Sequence, residues 1–101
     1  MQHTIASLKD RLAQLVNMWD TVPFATIVEG IRQYGKNEEM APLVNFSCDK
    51  ALALYADGVH HLEAFRYAAL AYGAGAAGDV ECSWPWRELA RDCRELADSC
   101  A

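Results

Sequence analysis

The chain has 101 residues, 52% of them hydrophobic and 23% charged, and carries a formal charge of −5. That length suits one domain, and the composition can bury a core with nothing in it that suggests disorder. The charge divides as 0 over residues 1–35, −2 over 36–57 and −3 over 58–101, so the chain lacks the basic patch that phosphate backbones and anionic membrane surfaces require. A single helical domain over residues 1–101 that binds neither nucleic acid nor membrane is the expectation.

The N-terminus, Met1-Gln2-His3-Thr4, shows no basic segment followed by an apolar run and a cleavage site, which argues against a signal peptide and sets a cytoplasmic location as the default. From Thr4 to Trp19 the apolar residues Ile5, Leu8, Leu12, Leu15 and Trp19 alternate at spacings of three and four. This predicts an amphipathic helix, with Thr4 and Ser7 as capping candidates. Asp20-Thr21-Val22-Pro23 ends it and starts a second helix from about Pro23 to Tyr34, since proline suits a first helical turn and Asp20 or Thr21 can cap it. The buried face of that helix is Phe24, Ile27, Val28 and Ile31, and Gly35 sits where a left-handed stop is expected. The short link predicts that the first two helices are antiparallel neighbours.

Residues 36–46 are the least decided, with Asn37 placed to cap a short turn through Glu38, Glu39 and Met40 before Pro42 limits it. Ser47 is the expected cap of a third helix whose inner face is Cys48, Ala51, Leu52 and Tyr55. Asp57-Gly58 predicts a break, with one helix bent at Gly58 as the alternative. The next segment, from Val59, is central to the reading. Between Ala64 and Ala77 the one charged side chain is Arg66, and a helix apolar on nearly every side is a buried helix. It is too short and too interrupted by glycine to span a bilayer, which takes roughly 20 apolar residues. Gly73, Gly75 and Gly78 read as the loop that follows it.

The last helix is expected to start at Ser83. Its seam is Trp86, Leu89, Cys93, Leu96 and Cys100, and its outer face carries Arg87, Glu88, Arg91, Asp92, Arg94, Glu95 and Asp98. Glu88 with Arg91 and Arg94 with Asp98 are spaced to pair along it. No stretch alternates with period two, so no sheet is expected. The fold class that follows is all-α, a compact bundle of four to five helices. Cys93 and Cys100, seven residues apart on one helix, are separated by about 10 Å, beyond the roughly 7 Å that a disulfide can bridge. Reduced thiols at Cys48, Cys82, Cys93 and Cys100 are expected.

Chemistry has few places to sit. His60 and Glu63 share a helix face at the spacing of metal ligands, though no paired cysteines or histidines accompany them. The stretch His60-His61-Leu62-Glu63-Ala64 resembles the H-x-L-K-G stretch of histidine phosphotransfer bundles over five residues. The resemblance implies a phosphorylated histidine, but Glu63 replaces the lysine that helps hold the phosphate and Ala64 the close-packing glycine. A carboxylate there repels the phosphate. Cys48 near the start of a helix capped by Ser47 could have a stabilised thiolate, while its place on the apolar stripe makes it a small hydrophobe. No nucleophile elbow, phosphate loop or zincin motif is present, so neither an enzyme nor a cofactor is expected.

Surfaces remain. Trp84-Pro85-Trp86 puts two large aromatics at a helix start beside Arg87, the composition of a binding hot spot. Glu38 and Glu39 belong to a set of loop acids able to steer a basic partner. The expectation is a non-enzymatic protein-protein interaction module, an adaptor, inhibitor or immunity-type factor contacting its partner through Trp84, Trp86, Arg87, Glu38 and Glu39. Seams on the first and last helices also permit a homodimer. The alternative is a histidine-centred site at His60 and Glu63.

Overall fold

The computed structural model describes residues 4–18, 22–34, 38–76 and 80–99, with the backbone alone at Tyr34 and residues 80–84. Among these, five α-helices and one 3-10 turn follow in order: α1 (Ile5–Leu15), α2 (Phe24–Tyr34), the turn Glu38–Met40, α3 (Ala41–Ala56), α4 (His61–Gly75) and α5 (Val80–Ser99). No strand occurs among the described residues. The Cα radius of gyration is 12.5 Å, close to the roughly 13 Å of a compact chain of this length. The chain is an all-α compact bundle.

The start of α1 is held by a reciprocal capping box. The Ser7 amide donates to Thr4 Oγ1 at 3.0 Å and the Thr4 amide to Ser7 Oγ at 3.0 Å, satisfying two amides that no helical carbonyl can reach. The helix stops at Leu15, earlier than the apolar pattern predicts. Asn17 takes the left-handed conformation at φ 60°, its amide bonds to Gln14 O at 3.1 Å and the Met18 amide to Ala13 O at 3.0 Å. That pair of bonds is the motif by which helices end on asparagine or glycine. Trp19, the last residue of that apolar pattern, and Asp20, Thr21, Gly35 and Asn37, to which the sequence gives roles in ending or capping helices, lie outside the described residues.

Helix α2 follows the expected pattern, with Phe24, Ile27, Val28 and Ile31 all buried. Its contact with α1 is slight, and α1 packs chiefly on α4 and α5, so the first two helices touch without being each other's main partner. Helix α3 begins at Ala41, six residues before Ser47. Pro42 falls in its first turn, where a missing N–H costs nothing. Ser47 is therefore mid-helix and buried, not a cap.

The break at Asp57-Gly58 is real. Gly58 has φ 79° and its amide bonds to Tyr55 O at 3.0 Å, which separates α3 from α4 and rules out one bent helix. Helix α4 packs against each of the other four helices and buries Ala64, Phe65, Ala68, Ala69, Ala71, Tyr72 and Ala74. It is the axis that its composition predicts, with one exception, Leu70, which is exposed. The helix also runs through Gly73 and Gly75, expected as loop. A Cβ built on Gly73 would stand 2.3 Å from Trp86 Cε2, so the bare glycine is what lets the indole of α5 lie against α4. Helix α5 starts at Val80 and takes Ser83 inside it, so Ser83 is not its cap either, and Pro85 lies within the helix.

Three of the helices are locked by rings. Tyr55 of α3 stacks on Phe24 of α2 and on His61 of α4, each at 4.3 Å between centroids, and Phe65 of α4 is tilted against all three. Each such pair adds about 0.5–1.5 kcal/mol to the area it buries.

Candidate functional surface

The histidines at the α3–α4 turn have separate occupations. His60 precedes the first residue of α4 and lies with Nε2 3.5 Å from Asp57 Oδ2. His61 is the end of the ring stack. Glu63 accepts from Arg66 one turn on. His60 and Glu63 thus face different partners, and among the described residues no group of three or more His, Cys, Asp or Glu side chains gathers as metal ligands would.

The two described thiols are inward. Cys48 is fully buried in the middle of α3, with its sulfur 4.0 Å from Val28 O, and burial raises its pKa. The earlier start of α3 removes the helix terminus that would have favoured a thiolate, so of the two sequence readings the hydrophobic one holds. Cys93 is also free and fully buried, and burial pushes its thiol up to about 12. Cys100 and the Cys82 side chain lie outside the described residues.

One polar contact contradicts the sequence reading. Asp92, placed on the outer face of the last helix, is 5% exposed. Arg11 Nη1 of α1 donates to its Oδ2 at 2.6 Å, and Arg91 adds contacts to Oδ1 at 3.4 Å. A buried carboxylate needs such partners. The pair ties α1 to α5. A second cross-link joins α2 to α3, where Arg32 donates to Asn45 Oδ1 at 2.8 Å and Asp49 Oδ1 at 3.0 Å, and also to Glu29 at 3.3 Å. The bond to Asp49 is the chief reason that the Arg32 pKa is raised.

Of the residues expected at a partner contact, Trp86 is half-buried, its indole covering Gly73, with the Arg87 guanidinium 5.6 Å from the ring centroid. It is therefore as much a wedge between α4 and α5 as a free anchor. Trp84 falls in the early turns of α5, with its side chain outside the described residues. Arg87, Glu38 and Glu39 are exposed. The first and last helix seams, offered as dimer faces, are largely spent inside, with Leu8, Leu12, Leu89 and Cys93 all core, while Ile5 at the start of the first is 46% exposed. Along α5 Arg91 lies against Asp92 at 3.4 Å and, at a loose 4.0 Å, against Glu95.

What the sequence did not single out is the outer side of α3. Phe46 is 60% and Leu43 47% exposed, while Leu70 on the adjoining α4 is 41% exposed. Phe46 and Leu43 are three residues apart on one helix, so both project on the same side, away from Val44, Cys48 and Ala51, which face the core. Helix α3 runs back along α4 from the Gly58 turn, so its exposed N-terminal half adjoins the C-terminal half of α4. No helix among the described residues is long and apolar enough to cross a membrane. The chain matches no protein-family model, no curated protein and no solved structure.

Proposed function

We propose that this chain is a small non-enzymatic interaction module that works by occupying a surface of another protein, with the outer side of α3 as its principal contact. The observation that carries the reading is Phe46, a large aromatic 60% exposed beside Leu43 on a regular helix. Scattered exposed apolar residues are ordinary. Two on one helix side, with Leu70 on the next helix, fit the helix-face contacts on which partner proteins dock. The exposed acids Glu38 and Glu39 in the turn that leads into α3 supply a charged rim. The reading also draws on how the described functional side chains are used: the thiols serve the core, and Asp92, Arg11, Arg32 and Asp49 hold helices together. A cytoplasmic setting suits the buried free thiols Cys48 and Cys93.

The test compares capture of proteins from the native host by the wild-type chain and by Phe46→Ser. Because Phe46 is mostly solvated, the variant keeps its helical circular dichroism. The reading expects a discrete partner retained by the wild type and lost by at least about tenfold with Phe46→Ser, the size of loss typical when an interface anchor is removed. Retention of no partner, or of the same partner by both forms, overturns it.

A further inference from the structure

We propose that Met18 is a reversible oxidation site, and that converting its thioether to the sulfoxide with a hydroperoxide releases the end of α1 from α2. This stands apart from the outer side of α3. The described sulfur-bearing side chains are Cys48, Cys93, Met18 and Met40. Both cysteines are fully buried, and oxidation of a thiol needs an accessible thiolate. The two methionines are half-buried, and a thioether needs no deprotonation to react, which leaves them as the sulfurs open to peroxide. Met18 is singled out by its seat.

That seat is Gly30, within α2. A Cβ built there would stand 2.5 Å from Met18 Cε and 3.7 Å from its Sδ, so the methyl end of Met18 fills the space that a side chain at position 30 would take. Val16 Cγ2, 3.5 Å from the same point, is the other side chain against it. The same stretch ends α1. The Asn17 amide bonds to Gln14 O and the Met18 amide to Ala13 O, and an apolar anchor just past such a helix stop commonly accompanies it. Because α1 touches α2 only slightly, little else holds the end of α1 against α2 once this anchor is lost.

Oxidation changes what the seat must accept. The sulfur gives two electrons to the O–O bond and takes one oxygen, while the other leaves as water or an alcohol according to the hydroperoxide. The product is polar and chiral, and its oxygen is a strong acceptor. Gly30 offers it no donor, since an amide inside a helix is already bonded to the carbonyl four residues before. A sulfoxide kept on the seat would be unsatisfied, whereas one turned outward is hydrated, so the side chain leaves Gly30. Two thiols of a reductase reverse the step, removing the oxygen as water and becoming a disulfide.

The purified full chain is treated with hydrogen peroxide, and oxidation at Met18 and Met40 is followed by peptide mass mapping in wild type and Gly30→Ala. The added methyl puts Met18 off its seat, so Met18 is expected to oxidise about threefold faster or more in the variant, with Met40 unchanged. Hydrogen exchange then reads the consequence in Met40→Leu, where Met40 makes no contribution. After peroxide the Asn17 and Met18 amides are expected to exchange about tenfold faster, and methionine sulfoxide reductase returns them to the starting rate. The chain carrying both Met18→Leu and Met40→Leu is expected to show no change with peroxide. Met18 left intact where free methionine is fully converted overturns the proposal. So does equal reactivity of Met18 in wild type and Gly30→Ala, or a sulfoxide that leaves the Asn17 and Met18 amides as slow as before.

Discussion

At the scale of single residues, burial decides chemistry. Cys93 sits fully enclosed beside Asp92, and its pKa stands at about 12 against an ordinary 9.0. Between those values the unfolded chain gives up the thiol proton while the folded chain keeps it, so the folded state binds more protons and stability falls as pH rises. The contribution is fully present below about pH 9 and is lost toward pH 12, at about 1.4 kcal/mol for each pH unit inside that window. Denaturant titrations at pH 8, 9 and 10 on wild type and Cys93→Ala check this. The wild type is expected to lose stability more steeply with pH than the variant, and parallel slopes would mean that the thiol is not shut in.

Asp92 shows why the residue scale is only partly legible in sequence. Its charge argues for the outer face of the last helix. Its position, three after Leu89 and four before Leu96, argues for the seam. Position wins because Arg11, from a helix 81 residues away in sequence, ends on its carboxylate. A distant partner of that kind leaves no local mark. The capping box at Thr4 and Ser7, by contrast, is readable because both halves lie within four residues of chain.

At the scale of elements, the apolar period of α2, the all-round apolarity of α4, the start of α1 and the break at Gly58 are readable, while the starts of α3 and α5 and the ends of α1 and α4 are not. Proline and glycine serve more than one purpose here: Pro42 opens α3 where the local pattern has it limit the preceding turn, and Gly73 admits a ring where the pattern predicts a loop. The two meanings of glycine separate by experiment. Gly73→Ala gains about 1 kcal/mol of helix propensity but drives a Cβ into the rigid Trp86 indole, 2.3 Å away, and overpacking of that kind costs about 1–3 kcal/mol. The expected result is a net loss of about 1 kcal/mol, seen as a thermal midpoint lower by about 4–8 °C with altered tryptophan emission. A loop glycine at 73 would leave both unchanged. Gly30 makes the contrast within one chain, because what a Cβ meets there is the flexible end of Met18, which can turn aside.

At the scale of the whole molecule, the buried middle helix was legible because a segment with one charge among fourteen residues has nowhere else to go. The outer surface was not, since exposed leucine and phenylalanine in the N-terminal half of α3 look in sequence like any other core-bound residues. Only the direction in which α3 turns its other side, fixed by Val44, Cys48 and Ala51, shows that Leu43 and Phe46 are left outside. The same geometry that buries most of α4 in packing, with Leu70 left exposed, leaves one side of α3 open to solvent.

That division of labour between a dry axis and a working exterior is tested most directly by native-state hydrogen exchange resolved along the chain. The amides of Phe65 to Tyr72 should exchange last, through global unfolding alone, while those of α1 open earlier through local fluctuation. Exchange in Phe65 to Tyr72 as early as in α1 would show that α4 is not the enclosed centre, and the assignment of function to the outside would fall with it.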